Sequence, residues 1–104
     1  MIVVSTDYIT GRNLDMIGLV QGSCVMSKHI GKDIGAGFKT LVGGEIQSYT
    51  EMMDDSRRIA LDRMVAQAQY YNADAVVNVR FASAAVMQGA AEVLAYGTAV
   101  KFKE

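Results

Sequence analysis

Only one stretch of the chain carries a helical repeat long enough to cover a sheet, and that limits the folds open to it. From Glu45 to Tyr71, residues Ile46, Tyr49, Met53, Ala60, Met64, Ala68 and Tyr71 fall on one side at three- and four-residue spacings, with Met52 and Ile59 beside them. The outer side carries Asp54, Asp55, Arg57, Arg58, Asp62 and Arg63, in which Asp54 with Arg58 and Arg58 with Asp62 are opposite charges four residues apart. Such pairs mark a solvated face. Ser48-x-x-Glu51 has the form of a capping box, and the helix opens there or at Glu45. Asn72 closes it, because asparagine is the usual substitute for glycine in the left-handed residue that ends a helix.

The rest of the chain reads mainly as strands. Ile2 to Ser5 is short and β-branched, and the turn residues around Gly11 follow it, which predicts an edge strand and a loop. Met16 to Ser27 alternates between a face with Ile17, Leu19 and Val25 and a face with Met16, Val20, Cys24 and Met26, while Gly18 and Gly22 point to a bend, a bulge or a close backbone approach. Ile34, Phe38, Leu41 and Val42 fit a short helix that Gly43-Gly44 breaks. Ala75 to Ala82 predicts a strand with Val77, Val79 and Phe81 on one face and Val76, Asn78 and Arg80 on the other. Glu92 to Phe102 predicts the last strand, joined to it as a hairpin around Gln88-Gly89. The expected fold is α+β: a two-layer subunit with a mostly antiparallel sheet and one long helix, forming a single domain over residues 1–104.

One helix covers one face of such a sheet, yet the strands are apolar toward both. A chain of 104 residues with 51% hydrophobic residues therefore has apolar surface left for a partner, and a second copy is the simplest cover. The 10 basic and 11 acidic residues give a net charge of −1 with no basic stripe, which argues against nucleic acid and anionic lipid as partners. No apolar run reaches the ~20 residues that span a bilayer, and the first residues lack the pattern of a signal peptide. With one cysteine and no glycosylation sequon, the expectation is a cytoplasmic protein stabilised by packing alone.

Gly35-Ala36-Gly37, Leu41-Val42-Gly43-Gly44-Glu45, Tyr49, Arg58 and Ala60, then Ala73-Asp74-Ala75-Val76-Val77 with Val79-Arg80-Phe81, and finally Ala95-Tyr96-Gly97-Thr98-Ala99-Val100 together resemble the YbjQ-like family of small bacterial and archaeal proteins. The resemblance covers nearly the whole chain, with Asn72 where the family usually has glycine. It implies a ring-shaped homopentamer and carries a heavy-metal-binding label, without a ligand motif that transfers to these positions.

Candidate sites are few. Cys24 and His29 are the only soft or borderline metal ligands besides methionine, and Cys-x4-His offers two donors to zinc or copper where a closed zinc site needs four. The competing reading is a buried thiol and a surface histidine. Met52, Met53 and Met64 sit at core spacing and read as packing. The glycine-rich stretch ending in Gly43 and Gly44 could cradle a phosphate or carboxylate ahead of the helix, though it is no P-loop and turns explain most glycines. Arg80 lies among apolar neighbours and needs a carboxylate, carbonyls or an interface as partner. No serine, histidine and acid set is present, so a non-enzymatic, self-assembling binding module is expected. A scaffold without a small ligand is the alternative, and an enzyme with an interfacial site the less favoured one.

Overall fold

A computed structural model describes residues 1–27, 41–42 and 45–104. The elements are β1 (Ile2–Val3), β2 (Asn13–Ser27), β3 (Leu41–Val42), β4 (Glu45–Ile46), α1 (Gln47–Tyr70), β5 (Ala75–Met87) and β6 (Ala90–Lys103). Four strands form one sheet in the order β1-β5-β6-β2, and β3 pairs with β4 separately. All neighbours in the large sheet are antiparallel except β1, which runs parallel to β5 with Ile2 opposite Ala75. The α+β architecture expected from the sequence is thus present, with the helix on one face of a mixed sheet.

The helix is seated by small residues. Ala60, Met64 and Ala68 are fully buried against Val20, Val93, Ala95 and Ala99. A Cβ added to Gly22 would overlap the backbone of Ala60 and Met64 and sit 2.7 Å from the carbonyl carbon of Arg63, so β2 and α1 meet backbone to backbone there. Ser56 is also fully buried, and it satisfies its hydroxyl by donating to the Met52 carbonyl at 2.8 Å. Asn72 takes the left-handed conformation expected of it, with φ 59°, and Gly89 (φ 80°) turns the hairpin between β5 and β6.

Several expectations are corrected. Leu41 and Val42 are a strand paired with Ile46 and Glu45, not the end of a short helix; the residues preceding them lie outside those described. On the exposed helix face the ion pairs are three residues apart, Asp54 with Arg57 and Asp55 with Arg58, rather than four. Three register shifts, between Met16 and Gly18 in β2 and between Val77 and Arg80 and again between Ala85 and Met87 in β5, reverse the alternation at those points. The shift between Val77 and Arg80 is centred on Asn78, whose φ is 56°. Val76 and Val79 therefore both face the helix, whereas Val77 joins a second cluster on the other face.

That second cluster changes how the sheet is covered. Ala75, Val77 and Val100 are buried beneath Val4, Ile9, Leu14 and Phe102, so the N-terminal segment shields one end of the face away from the helix. Hydrophobicity on both faces is partly an intramolecular matter. The other end stays open: cross-strand register places Leu19, Gln21, Ser23 and Val25 of β2 with Thr98, Tyr96, Leu94 and Glu92 of β6 on this face, and Leu19 is 69% exposed.

Candidate functional site

The N-terminal segment runs along the outer edge of β5 only part of the way. Val4 N–H donates to Val76 O, Val79 N–H to Val4 O, and Asn78 N–H to Thr6 O, at 2.8–3.0 Å. Past Val79 the edge has no neighbouring strand among the described residues. The alternation that turns Val79 outward also turns the N–H and C=O groups of Phe81 and Ser83 outward. From Phe81 to Met87 the sequence is Phe-Ala-Ser-Ala-Ala-Val-Met, without a charge, and every residue is exposed.

Arg80 stands where this coverage ends. The bulge at Asn78 resets the strand so that Arg80 lies opposite Tyr96 on the face away from the helix. Its Nη1 donates to the carbonyls of Ser5 at 2.8 Å and of Val79 at 3.0 Å. Among the described residues no carboxylate lies within ion-pair distance of it. Of the partners open to it from sequence, Arg80 takes carbonyls. Two such bonds fix the planar guanidinium while leaving other N–H donors of the fork uncommitted. At this edge of the sheet Val3, Val4, Leu61, Val79 and Phe81 line an open, mostly apolar groove with a volume of 470 Å³, most of its wall on the helix side.

The opposite edge of the sheet is treated differently. Gln67 Oε1 accepts from the Gln21 amide at 2.8 Å, and Arg63 Nη1 donates to the Ser23 carbonyl at 2.7 Å. Two side chains of α1 thus occupy hydrogen-bonding groups of β2 that an added strand would use.

The metal candidates do not come together. Cys24 is 4% exposed and lies in the core beneath the helix with Val20, Ala60 and Val93. His29, Gly43 and Gly44 lie outside the described residues. Among the described residues no group of three or more histidine, cysteine, aspartate or glutamate side chains could hold an ion. The donor set described in one subunit does not fit a heavy-metal site. Asp54 and Asp55 are occupied by Arg57 and Arg58 on the solvated face, as expected of helix surface.

Sequence reasoning singled out Arg80 but missed its contact with Ser5, 75 residues away. The usable signal was Asn78, a residue type that tolerates positive φ inside an otherwise β-branched strand.

A family model described as "Putative heavy-metal-binding" matches residues 1–103. A UPF0145 protein of Alkaliphilus metalliredigens is 59% identical over 102 residues, covering 98% of this chain and 99% of that one. A UPF0145 protein of Clostridium novyi is 56% identical over 101 residues, covering 97% and 98%. A crystal structure from Pediococcus pentosaceus, of a DUF74-family protein with unknown function, superposes with a TM-score of 0.66 at 12% identity and covers 99% of this chain and 98% of its own. That likeness concerns the fold alone.

Proposed function

The chain belongs to the YbjQ family, whose model carries the description "Putative heavy-metal-binding", and from that premise we propose that it is one subunit of a ring-shaped homo-oligomer, a homopentamer, that binds a small ligand where subunits meet. The observation that carries the assembly reading is the outer edge of β5. An uncharged, exposed strand edge from Phe81 to Met87 is what native proteins avoid leaving to water, because it templates pairing with any other strand. The sheet's other edge is guarded by Gln67 and Arg63. The open end of the second sheet face, with Leu19 and Val25 exposed, supports the same reading.

Within such a ring the burial of Cys24 favours a small anion over a thiophilic ion as ligand, with Arg80 as the cation that receives it. A metal ion such as zinc or copper would need donors from more than one copy. The protein then acts by binding rather than by catalysis, in the cytoplasm, with itself as its partner. No described helix is long and apolar enough to cross a membrane.

Native mass spectrometry of the purified protein, with and without a chelator, tests both halves at once. A multiple of the chain mass with retained ligand supports the proposal. A bare ring favours the scaffold reading, and a single 11.2 kDa species removes the assembly.

A further inference from the structure

We infer that the open end of the sheet face away from the helix packs against the same face of a second copy, related to it by a two-fold axis, with Arg80 of each chain paired to Glu92 of the other. The inference goes beyond the pairing of the β5 edge. It concerns a different surface, and it holds whether the units that meet are rings or single chains.

The charges on that face decide the arrangement. Register sets Arg80 opposite Tyr96, Ala82 opposite Leu94 and Ala84 opposite Glu92, and Gln21, Ser23 and Val25 of β2 complete the three rows. Within these rows Arg80 and Glu92 are the only charged side chains. They stand at opposite ends, about 13 Å apart along the strands. Among the described residues neither has an ion-pair partner.

A face with a cation at one end and an anion at the other is complementary to itself when turned end for end. A half-turn about an axis lying between the two sheets, along the Leu94 row, brings each Arg80 over the Glu92 of the other chain. The strands of the two copies are then aligned, about 10 Å apart and crossing at about 30°, which is a usual packing of two sheets. A half-turn about the strand direction sets Arg80 against Arg80 and Glu92 against Glu92, and like charges exclude it.

Apolar area supplies the attraction and charge supplies the register. Val25 is 58% exposed, and Leu94, Tyr96 and Glu92 are only half-buried, so hydrocarbon on this face meets water. Val4 and Ile9 already cover the other end, which confines the contact to these rows. The Arg80 head is ordered in advance, since Nη1 donates to the Ser5 and Val79 carbonyls and leaves other donors for a carboxylate. A free anion at Arg80 and the partner's Glu92 take the same donors, so each excludes the other. Three rows hold fewer residues than the ~20–30 of a standard interface, so the pairing is weak and is sought at submillimolar protein.

The test compares the unaltered chain with Arg80→Glu, Glu92→Arg and the double variant by sedimentation velocity at low salt, with circular dichroism as the check on folding. The unaltered chain should reach twice the mass of either single variant, because each single change sets like charges face to face and weakens pairing by about tenfold or more. The double variant, with the charges exchanged, should recover the larger mass. Equal masses for the unaltered chain and the single variants, or a double variant that does not recover, overturns the inference. If a variant fails to fold, isotope-filtered NOEs between labelled and unlabelled copies of the unaltered protein decide: Leu94 lies on the axis, so its methyl groups should show contacts to the other copy, and their absence overturns the pairing. A ring that never doubles overturns the face contact and spares the edge; single chains that double spare the face contact and overturn the ring.

Discussion

The backbone amide of Phe102 donates to Oδ2 of Asp74 at 2.7 Å, joining the end of the helix connection to the last strand. Asp74 also donates its own amide to the Val100 carbonyl at 2.8 Å, and Lys101 reaches both the Asn72 carbonyl at 3.0 Å and the Asp74 carboxylate at 3.6 Å. One carboxylate thus fastens the turn after α1 to β6. The hydrogen bond from Phe102 holds its pKa below the ordinary 3.8, with Lys101 adding to the effect against partial desolvation.

A depressed carboxylate pKa gives the folded state an advantage that is complete above the unfolded value and is lost as pH falls through the folded one. The protein should lose stability in acid below about pH 4, and Asp74→Asn should flatten that part of the profile. Denaturant melts at pH 7 and at decreasing pH values check it. A variant whose stability falls with acid as steeply as the unaltered protein would refute the assignment.

Gly22 lies against the backbone of Ala60 and Met64, so Gly22→Ala must push α1 away from β2. The expected cost is about 2–3 kcal/mol, in the range for overpacking a rigid contact. Gly18, in the bulge at φ 153°, has open space where a Cβ would sit, so Gly18→Ala suffers from backbone strain without a clash. Chemical denaturation of the two variants should rank Gly22→Ala as the more damaging.

Asn72→Gly is expected to be neutral or mildly stabilising, since glycine reaches φ 59° without a Cβ penalty. Asn72→Val should cost about 1 kcal/mol or more, because a β-branched residue resists that conformation. Identical melting temperatures for the two would count against the helix stop.

What could be read from the sequence followed periodicity, and what could not followed contacts between distant segments. The long helix, its stop at Asn72, the hairpin at Gln88-Gly89 and the two glycines of β2 were legible because each is a local signal, whereas the helix start was not: Glu45 and Ile46 pair with Val42 and Leu41 as a strand and the helix opens at Gln47. The faces of β5 were misassigned because the bulge at Asn78 inserts one residue, and one residue inverts a strand's alternation. The shielding of Val77 and Val100 by Val4 and Ile9 was hidden, since no local pattern shows a loop folding back over a sheet. For the site, Arg80 stood out by its charge among apolar residues. Its Ser5 partner comes from another segment and required the fold.

If the outer edge of β5 pairs with another copy, Ser83→Pro should disrupt the assembly while sparing the subunit. The Ser83 amide points away from β6, so its loss costs no bond of the internal ladder, whereas an incoming strand loses a donor and meets the ring. Light scattering at micromolar concentration should then move from a multiple of 11.2 kDa toward that mass, with the far-ultraviolet circular dichroism unchanged. A multimer of unaltered size would show that this edge is not the joint, and a monomeric parent protein would remove the premise.

The last prediction concerns the family's metal label, where a buried thiol and a short donor list pull against it. Any thiophilic ion bound specifically must use Cys24, the only thiol in the chain, because thiolate donors dominate affinity for such ions. Cys24 is 4% exposed in the core under α1, so ligation would require the helix to lift from Val20 and Val93. The cost of opening that contact would be subtracted from the binding energy. The expected outcome is therefore that Zn²⁺ and Cu⁺, added to the protein and followed by desalting and elemental analysis, are retained at well below one ion per chain. Cys24→Ser should change retention little and lower stability by about 1–3 kcal/mol, since a hydroxyl replaces a sulfur in an apolar site. His29→Ala should leave both unchanged. Stoichiometric retention abolished by Cys24→Ser would establish a thiolate site and would require the core beneath α1 to open when the ion binds.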